Sequence, residues 1–270
     1  MLTLNQGRRK NAAAGEPLHC PIGVMNESKT FFRKGQLTLV AAGPGSGKSA
    51  LVQYILQKGN GLAVDDPGRL VNRTFYFSAD SDQTTMWKRS AAIATTHTQD
   101  QIDEAIFAER IEAFEAHVNR SASHMRFDYN SSPSDEYVLD SIDAYASVYG
   151  TWPEVIVIDN LKNLSLDGVD GEFQALEEAC GFLHDLARDT NASVIALHHV
   201  TGENEDGMRP IPLSGLRGKV SKTPEVVTTL HRRESNMFIS PVKNRNGIAD
   251  ASGQWILPVH VDLSRMMFTG

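Results

Sequence analysis

Three glycines, a lysine and two serines fall within seven residues at Gly43-Pro44-Gly45-Ser46-Gly47-Lys48-Ser49. Glycine weakens the interior of a strand or helix, so such a cluster implies that the backbone must bend tightly or approach something closely. The lysine makes the approached group negative. The apolar run Leu37–Ala42 leads in, and "SALVQYILQ", a helical pattern, leads out through Ala50. In this order, successive backbone N–H groups can turn inward around a phosphate, and the N-terminus of the following helix adds its own free N–H groups. Lys48 would reach the β- and γ-phosphates, and the Ser49 hydroxyl would hold Mg²⁺. Ala42 stands where the usual pattern begins with glycine.

A second candidate is Asp159, at the end of the apolar run "VIVID". Alone, it reads as the polar end of a buried strand. Beside a phosphate loop it reads as a Mg²⁺-directed carboxylate.

The elements that must position these groups alternate along the chain. Strand-like runs begin at Leu37, Arg73 ("RTFYFS"), Met125 ("MRFDY"), Val155 and Ser193 ("SVIALHH"). Several are continuously apolar, as expected of central parallel strands covered on both faces. A helical pattern over 100–118 places Phe107, Ile111, Phe114 and Val118 on one face, and another aligns Phe173, Leu176, Cys180, Leu183 and Ala187; both read as core-facing stripes. "EVVTTLHRR", "NMFISPVKN" and "QWILPVHVD" are short and separated by turn residues, and read as antiparallel strands extending the sheet. The expected class is α/β, with a mostly parallel sheet, flanking helices and antiparallel C-terminal strands. Residues 1–18 read as a flexible tail and 19–270 as a single domain.

Composition narrows the setting. The chain has 270 residues, 41% apolar and 22% charged, and a net charge of −7, which is ordinary globular usage. The acidic balance weighs against a dedicated nucleic-acid binder, although a local basic groove is compatible with it. Cys20 and Cys180 form no metal-ligand pattern. No run reaches membrane-spanning length and the N-terminus does not read as a signal peptide, so the expected location is cytoplasmic, with no membrane partner.

Five segments in order resemble the RecA-fold ring helicases, specifically the C-terminal ATPase domain of DnaB-type replicative helicases and their shorter plasmid RepA-like relatives. They are "LTLVAAGPGSGKSALV", "FYFSADSDQTTMWKR", "VIVIDNLKNL", "SVIALHHV" and "PVKNRNG". The resemblance implies a RecA-like P-loop fold that hydrolyses ATP with Mg²⁺. Asp80 falls where the family carries the glutamate that orients the attacking water, with Asp82 the nearby alternative and a helix N-cap the competing role. His198 and His199 end the strand that carries the γ-phosphate sensor, and His199 is the better match. Lys243 and Arg245, two apart on a strand, correspond to the cations that reach a neighbouring subunit's ATP. That implies a head-to-tail homo-oligomer, as a hexameric ring.

The resemblance also implies single-stranded DNA as partner, touched by the loops after the third and fourth motif strands, with loader and primase partners left open. In those loops only Arg209, Arg217 and Lys219 offer phosphate contacts. The chain is too short for the N-terminal primase-interacting domain of full DnaB-type helicases, which favours the RepA-like arrangement. Two rival readings are a RecA- or KaiC-like ATPase without unwinding and an adaptor that binds ATP without turnover.

Overall fold

Four of the five apolar runs become strands that are buried on both faces, and the fifth, at Met125, forms an edge strand with Arg126 exposed. The computed structural model describes residues 15–30, 32–64, 71–218 and 220–270. Their strands are β1 (Leu37–Ala42), β2 (Thr74–Ser78), β3 (Met125–Asp128), β4 (Val155–Asp159), β5 (Ser193–His199), β6 (Val226–Arg233), β7 (Asn236–Asn244), β8 (Leu257–Asp262) and β9 (Met267–Thr269). They form one sheet in the order β3-β2-β4-β5-β1-β6-β7-β8-β9. The helices are α1 (Gly23–Glu27), α2 (Lys48–Val64), α3 (Gln83–Thr95), α4 (Gln99–Phe107), α5 (Glu112–Ala122), α6 (Asp135–Tyr149) and α7 (Glu172–Thr190).

In β1, Leu37, Leu39 and Ala41 enter a core shared with α6 and α7, while Val40 and Ala42 enter a core shared with α2 and α3. A strand alternates its side chains between faces, so two helical layers cover the parallel sheet. Among the described residues no helix is long and apolar enough to cross a membrane. Both cysteines are free and buried.

Several expectations change. "EVVTTLHRR" supplies β6, which pairs parallel with β1; the antiparallel extension starts one strand later, at β7. The helical pattern over 100–118 is two helices broken around Glu109, whose φ of 52° is left-handed. The break rotates the second half of the stripe, and Phe107 is left 87% exposed. Phe173 likewise leaves its stripe: it sits in the first turn of α7, before the helix meets the sheet, and is 65% exposed, whereas Leu176, Cys180, Leu183 and Ala187 are buried. Helix α6 was not anticipated, although Ser134 caps it by accepting from the Tyr137 N–H at 3.1 Å and Gly150 ends it at φ 72°. Of the tail expected over 1–18, residues 1–14 lie outside the described residues. Gly15 to Leu18 pair antiparallel with 32–34: the Leu18 N–H donates to the Phe32 carbonyl at 2.8 Å.

These corrections separate two apolar residues of α4. Ile102 is fully buried, so Ile102→Ala should cost about 2–5 kcal/mol of unfolding free energy. Phe107→Ala should stay within about 0.5 kcal/mol. Chemical denaturation of the two variants checks the broken-helix geometry.

Candidate nucleotide site

Parallel pairing brings the candidate residues to one edge of the sheet. Ala42 is registered against His199, and Ser78 against Asp159. The loop after β1, the residues after β2 and the ends of β4 and β5 therefore meet without any long side-chain reach. Between them lies a cavity of about 330 Å³, lined by Pro44, Gly45, Gly47, Lys48, Ser49 and Ala50 of the loop and by Asp80, Arg89, Asp159 and His199. A larger cavity, about 600 Å³, lies between α3, α5 and β3. Its walls, such as Met86, Trp87, Val118 and Phe127, are mostly apolar, and the converging charged groups are in the smaller one.

The glycines are needed individually. Gly45 and Gly47 have φ of 69° and 92°, a region costly for side-chain-bearing residues. Gly43 is needed for space, since a Cβ there would stand 2.3 Å from the Glu205 carbonyl oxygen. Gly207 meets the same limit from the other side, where a Cβ would stand 2.7 Å from Ser46 Oγ. The segment after β5 thus lies directly on the phosphate loop.

Lys48 opens α2 and is 7% exposed; its Nζ donates to the carbonyls of Ala42 and Gly43, each at 3.1 Å. Burial lowers its pKa, and the charges of Asp159 and Asp80 oppose that shift. Asp159 is 2% exposed. It accepts from the Tyr76 hydroxyl at 2.9 Å, and the Ser49 hydroxyl lies near it. Burial raises its pKa, the two hydroxyls pull it down, and the nearby Asp80 raises it further. Ser49 and Asp159 thus lie near each other, oxygen donors of the kind Mg²⁺ takes. Among the described residues no group of three His, Cys, Asp or Glu could hold a metal. A hydroxyl and one carboxylate fit an ion whose other ligands come from substrate phosphates and water.

Asp80 lies in the cavity wall and accepts a hydrogen bond from Asn160 Nδ2, which also lies 3.1 Å from His199 Nε2. The N-cap of α3 is Asp82, whose carboxylate accepts from the Thr85 N–H at 2.9 Å. That commitment removes Asp82 as an alternative and leaves Asp80 free of the capping role. His198 points away: its Nε2 is 2.6 Å from the Arg217 carbonyl, and burial lowers its pKa to about 4. It ties the end of β5 to the segment before β6, a structural role.

Lys243 and Arg245 lie at the opposite edge. Lys243 is registered with Val227 and ends near the first half of β1, and the Arg245 N–H bonds the Glu225 carbonyl beside Leu37. Leu37 and Ala42 are five residues apart along β1, about 17 Å at strand rise. The chain's own phosphate loop is out of reach of either side chain. Lys243 Nζ donates to the carbonyls of Ser221 and Lys222, and Arg245 pairs with Glu225 at 3.2 Å. Arg245 lies one residue beyond β7, so the two share a loop anchor in place of one strand face.

Arg209 is exposed. Arg217 forms a two-pronged ion pair with Glu172. Lys219 lies outside the described residues. Among the site residues that escaped sequence reasoning are Tyr76, Arg89 and Asn160. Asn160 adjoins Asp159, and Arg89 lies two helical turns after the Asp82 cap, facing back toward Ser81 at 3.3 Å. Both spacings were legible signals.

The profile of the DnaB-like helicase C-terminal domain matches residues 21–253. The chain belongs to that family. Membership makes it an ATP-hydrolysing domain. The chain is 37% identical to the Gene 65 protein of Mycobacterium phage L5 over 94% of this chain and 93% of that protein. Among solved structures it resembles a DnaB-like replicative helicase described with its primase interactions, at a TM-score of 0.78 and 14% identity, covering 98% of this chain. It spans 64% of that helicase's length. It also resembles a second solved chain, an ATPase domain, at a TM-score of 0.73 and 17% identity, over 97% of this chain and 94% of that one.

The raised pKa of Asp159 sets a pH dependence. A carboxyl with a raised folded-state pKa binds more protons folded than unfolded, so its stabilising contribution is present at low pH and lost as pH rises through that value. Mg²⁺ binding must displace the same proton. The extra thermal stabilisation that Mg²⁺ adds to ADP should therefore shrink as pH falls, starting above the ordinary carboxylate range. In Asp159→Asn the Mg²⁺ increment should be small at every pH. Melting curves with ADP, with and without Mg²⁺, check this.

Proposed function

We propose that this DnaB-like domain is the motor of a ring helicase, hydrolysing ATP at interfaces between identical subunits and moving on single-stranded DNA during replication. The observation that carries the reading is the separation of the two cationic groups. Lys48 serves the chain's own loop, while Lys243 and Arg245 stand at the opposite end of the strands, away from that loop, as cations that serve another subunit's nucleotide would. Such a head-to-tail contact closes into a ring, and six subunits is the family's number.

At the shared site the loop amides and Lys48 bind and orient the phosphates. Mg²⁺ held by Ser49 and Asp159 would offset phosphate charge. Asp80 orients the attacking water and accepts its proton. His199 faces the γ-phosphate, and the neighbour's Arg245 meets the charge that develops on the transferred group. Reaching it requires Arg245 to leave Glu225, an exchange of one anion for another.

The DNA reading gains support from Phe173. It is exposed beside Arg217: the Glu172 preceding it pairs with Arg217, and its ring edge would be 3.6 Å from a Cβ at Gly218. An exposed aromatic next to an arginine is what an unpaired base stacks on. Exposed ion pairs contribute little, so Arg217 can exchange Glu172 for a phosphate.

Two outcomes follow. Arg245→Ala should bind ATP normally and hydrolyse it about a thousandfold more slowly, and mixing it with Lys48→Ala should restore turnover. In a mixed ring an intact loop of one variant meets an intact arginine of the other. No rescue in rings shown to be mixed would remove the shared site. Phe173→Ala should weaken single-stranded DNA binding by about 1–3 kcal/mol without changing its salt dependence. Arg209→Ala with Arg217→Ala should flatten that dependence. Salt titrations of fluorescent oligonucleotide binding check both.

A further inference from the structure

Asn160 is 1% exposed and follows Asp159 directly. Its Oδ1 accepts from the Lys162 N–H at 3.1 Å, which fixes the amide plane and makes Nδ2 the donor end. An amide NH₂ carries two hydrogens. One is directed to Asp80 Oδ2 and the other to His199 Nε2, so the group is fully used. With the amide in this orientation His199 accepts at Nε2 as a neutral ring carrying its proton on Nδ1, a buried atom with no hydrogen-bond partner among the described residues. Burial, reinforced by Lys48 and Lys162, lowers its pKa to about 4, in the direction this requires. Asp80 follows β2 on a short turn and is exposed. With Asp82 committed to the α3 cap, the amide of Asn160 is what orients the Asp80 carboxylate among the described residues.

We infer that Asn160 is the positioning residue for Asp80, and that by sharing one amide it makes Asp80 and His199 move as a unit. This rests on the reading that Asp80 orients the attacking water. Motion of His199 is in turn tied to the segment after β5, because His198 bonds the Arg217 carbonyl, the Arg217 N–H bonds the His199 carbonyl, and the backbone at Glu205 abuts Gly43. A nucleic acid that displaces this segment thereby shifts the water-orienting carboxylate through two hydrogen bonds on one side chain.

The test compares steady-state hydrolysis and the affinity for a fluorescent ADP analogue in the assembled wild type, N160A, N160S, D80N and the double variant N160A/D80E. N160A should lose about a hundredfold in kcat, the scale of a misplaced reacting group, with ADP affinity unchanged and only the modest fall in melting temperature that loss of the cap on the Lys162 N–H brings. D80E should recover most of that loss, because the longer side chain reaches the water without a guide. A purely structural asparagine would instead weaken nucleotide binding and stability together and would not respond to D80E; that result overturns the inference. So does N160A turning over like wild type while D80N is inactive, which leaves the role of Asp80 standing. D80N turning over normally removes the water-orienting role and the inference with it. If N160A does not fold, N160S preserves a small polar side chain that cannot span both partners, and the same split between kcat and affinity decides.

Discussion

The parallel register of the central strands is the constraint on which the site depends. Ala42 opposite His199 and Ser78 opposite Asp159 bring four chain segments, far apart in sequence, to within a few ångströms. A slip of one residue in either pairing would turn those side chains to the other face of the sheet. The apolar double-sided strands therefore do more than fill the core. They fix where the phosphate loop, the Asp159 carboxylate and the Asp80 carboxylate stand relative to one another. The same geometry explains the buried charges. Burial shifts Lys48 and Asp159 in opposite senses, each toward its neutral form, so both gain when a group of the other sign arrives.

The segment after β5 connects this site to the rest of the chain. It presses on the phosphate loop at Gly43 and Ser46, carries the exposed Arg209, and holds His198 through the Arg217 carbonyl. The opposite end of the strands has its own anchor at Glu225, which accepts from the Leu37 N–H and from Arg245 and lies 3.2 Å from His184 Nε2. One end of the strands thus carries the phosphate loop, and the other presents cations held by a nearly buried carboxylate. Such polarity within one subunit is what a heterologous interface needs, since the same two surfaces must meet in every copy.

Much of this was legible in the sequence where chemistry and local conformation agree. Gly45, Gly47 and Lys48 announce a phosphate loop because only glycine takes those backbone angles cheaply, and "VIVID" announces a buried strand with a carboxylate at its end. Legibility failed where a residue's role depends on a neighbour distant in the chain. Asn160 matters because Asp80 and His199 come to it from two other strands. Gly43 matters because Glu205 packs on it. The direction of β6 is set by its position beside β1, which no pattern within "EVVTTLHRR" encodes. Phe107 and Phe173 satisfied a helical period, yet the left-handed break at Glu109 and the exposed first turn of α7 took them out of the core. Helix α6 was missed because its polar positions, among them Asp135, Asp140 and Asp143, obscure a narrow stripe of Val138, Ile142 and Tyr145.

The central claim is that each catalytic site is completed by a second subunit. It is tested most directly by the specific rate of ATP hydrolysis as a function of protein concentration, followed alongside the mass of the assembly. The account predicts negligible turnover per chain when the protein is monomeric, and a cooperative rise to a plateau as oligomers form. A rate per chain that stays constant down to concentrations where only monomer is present would contradict it.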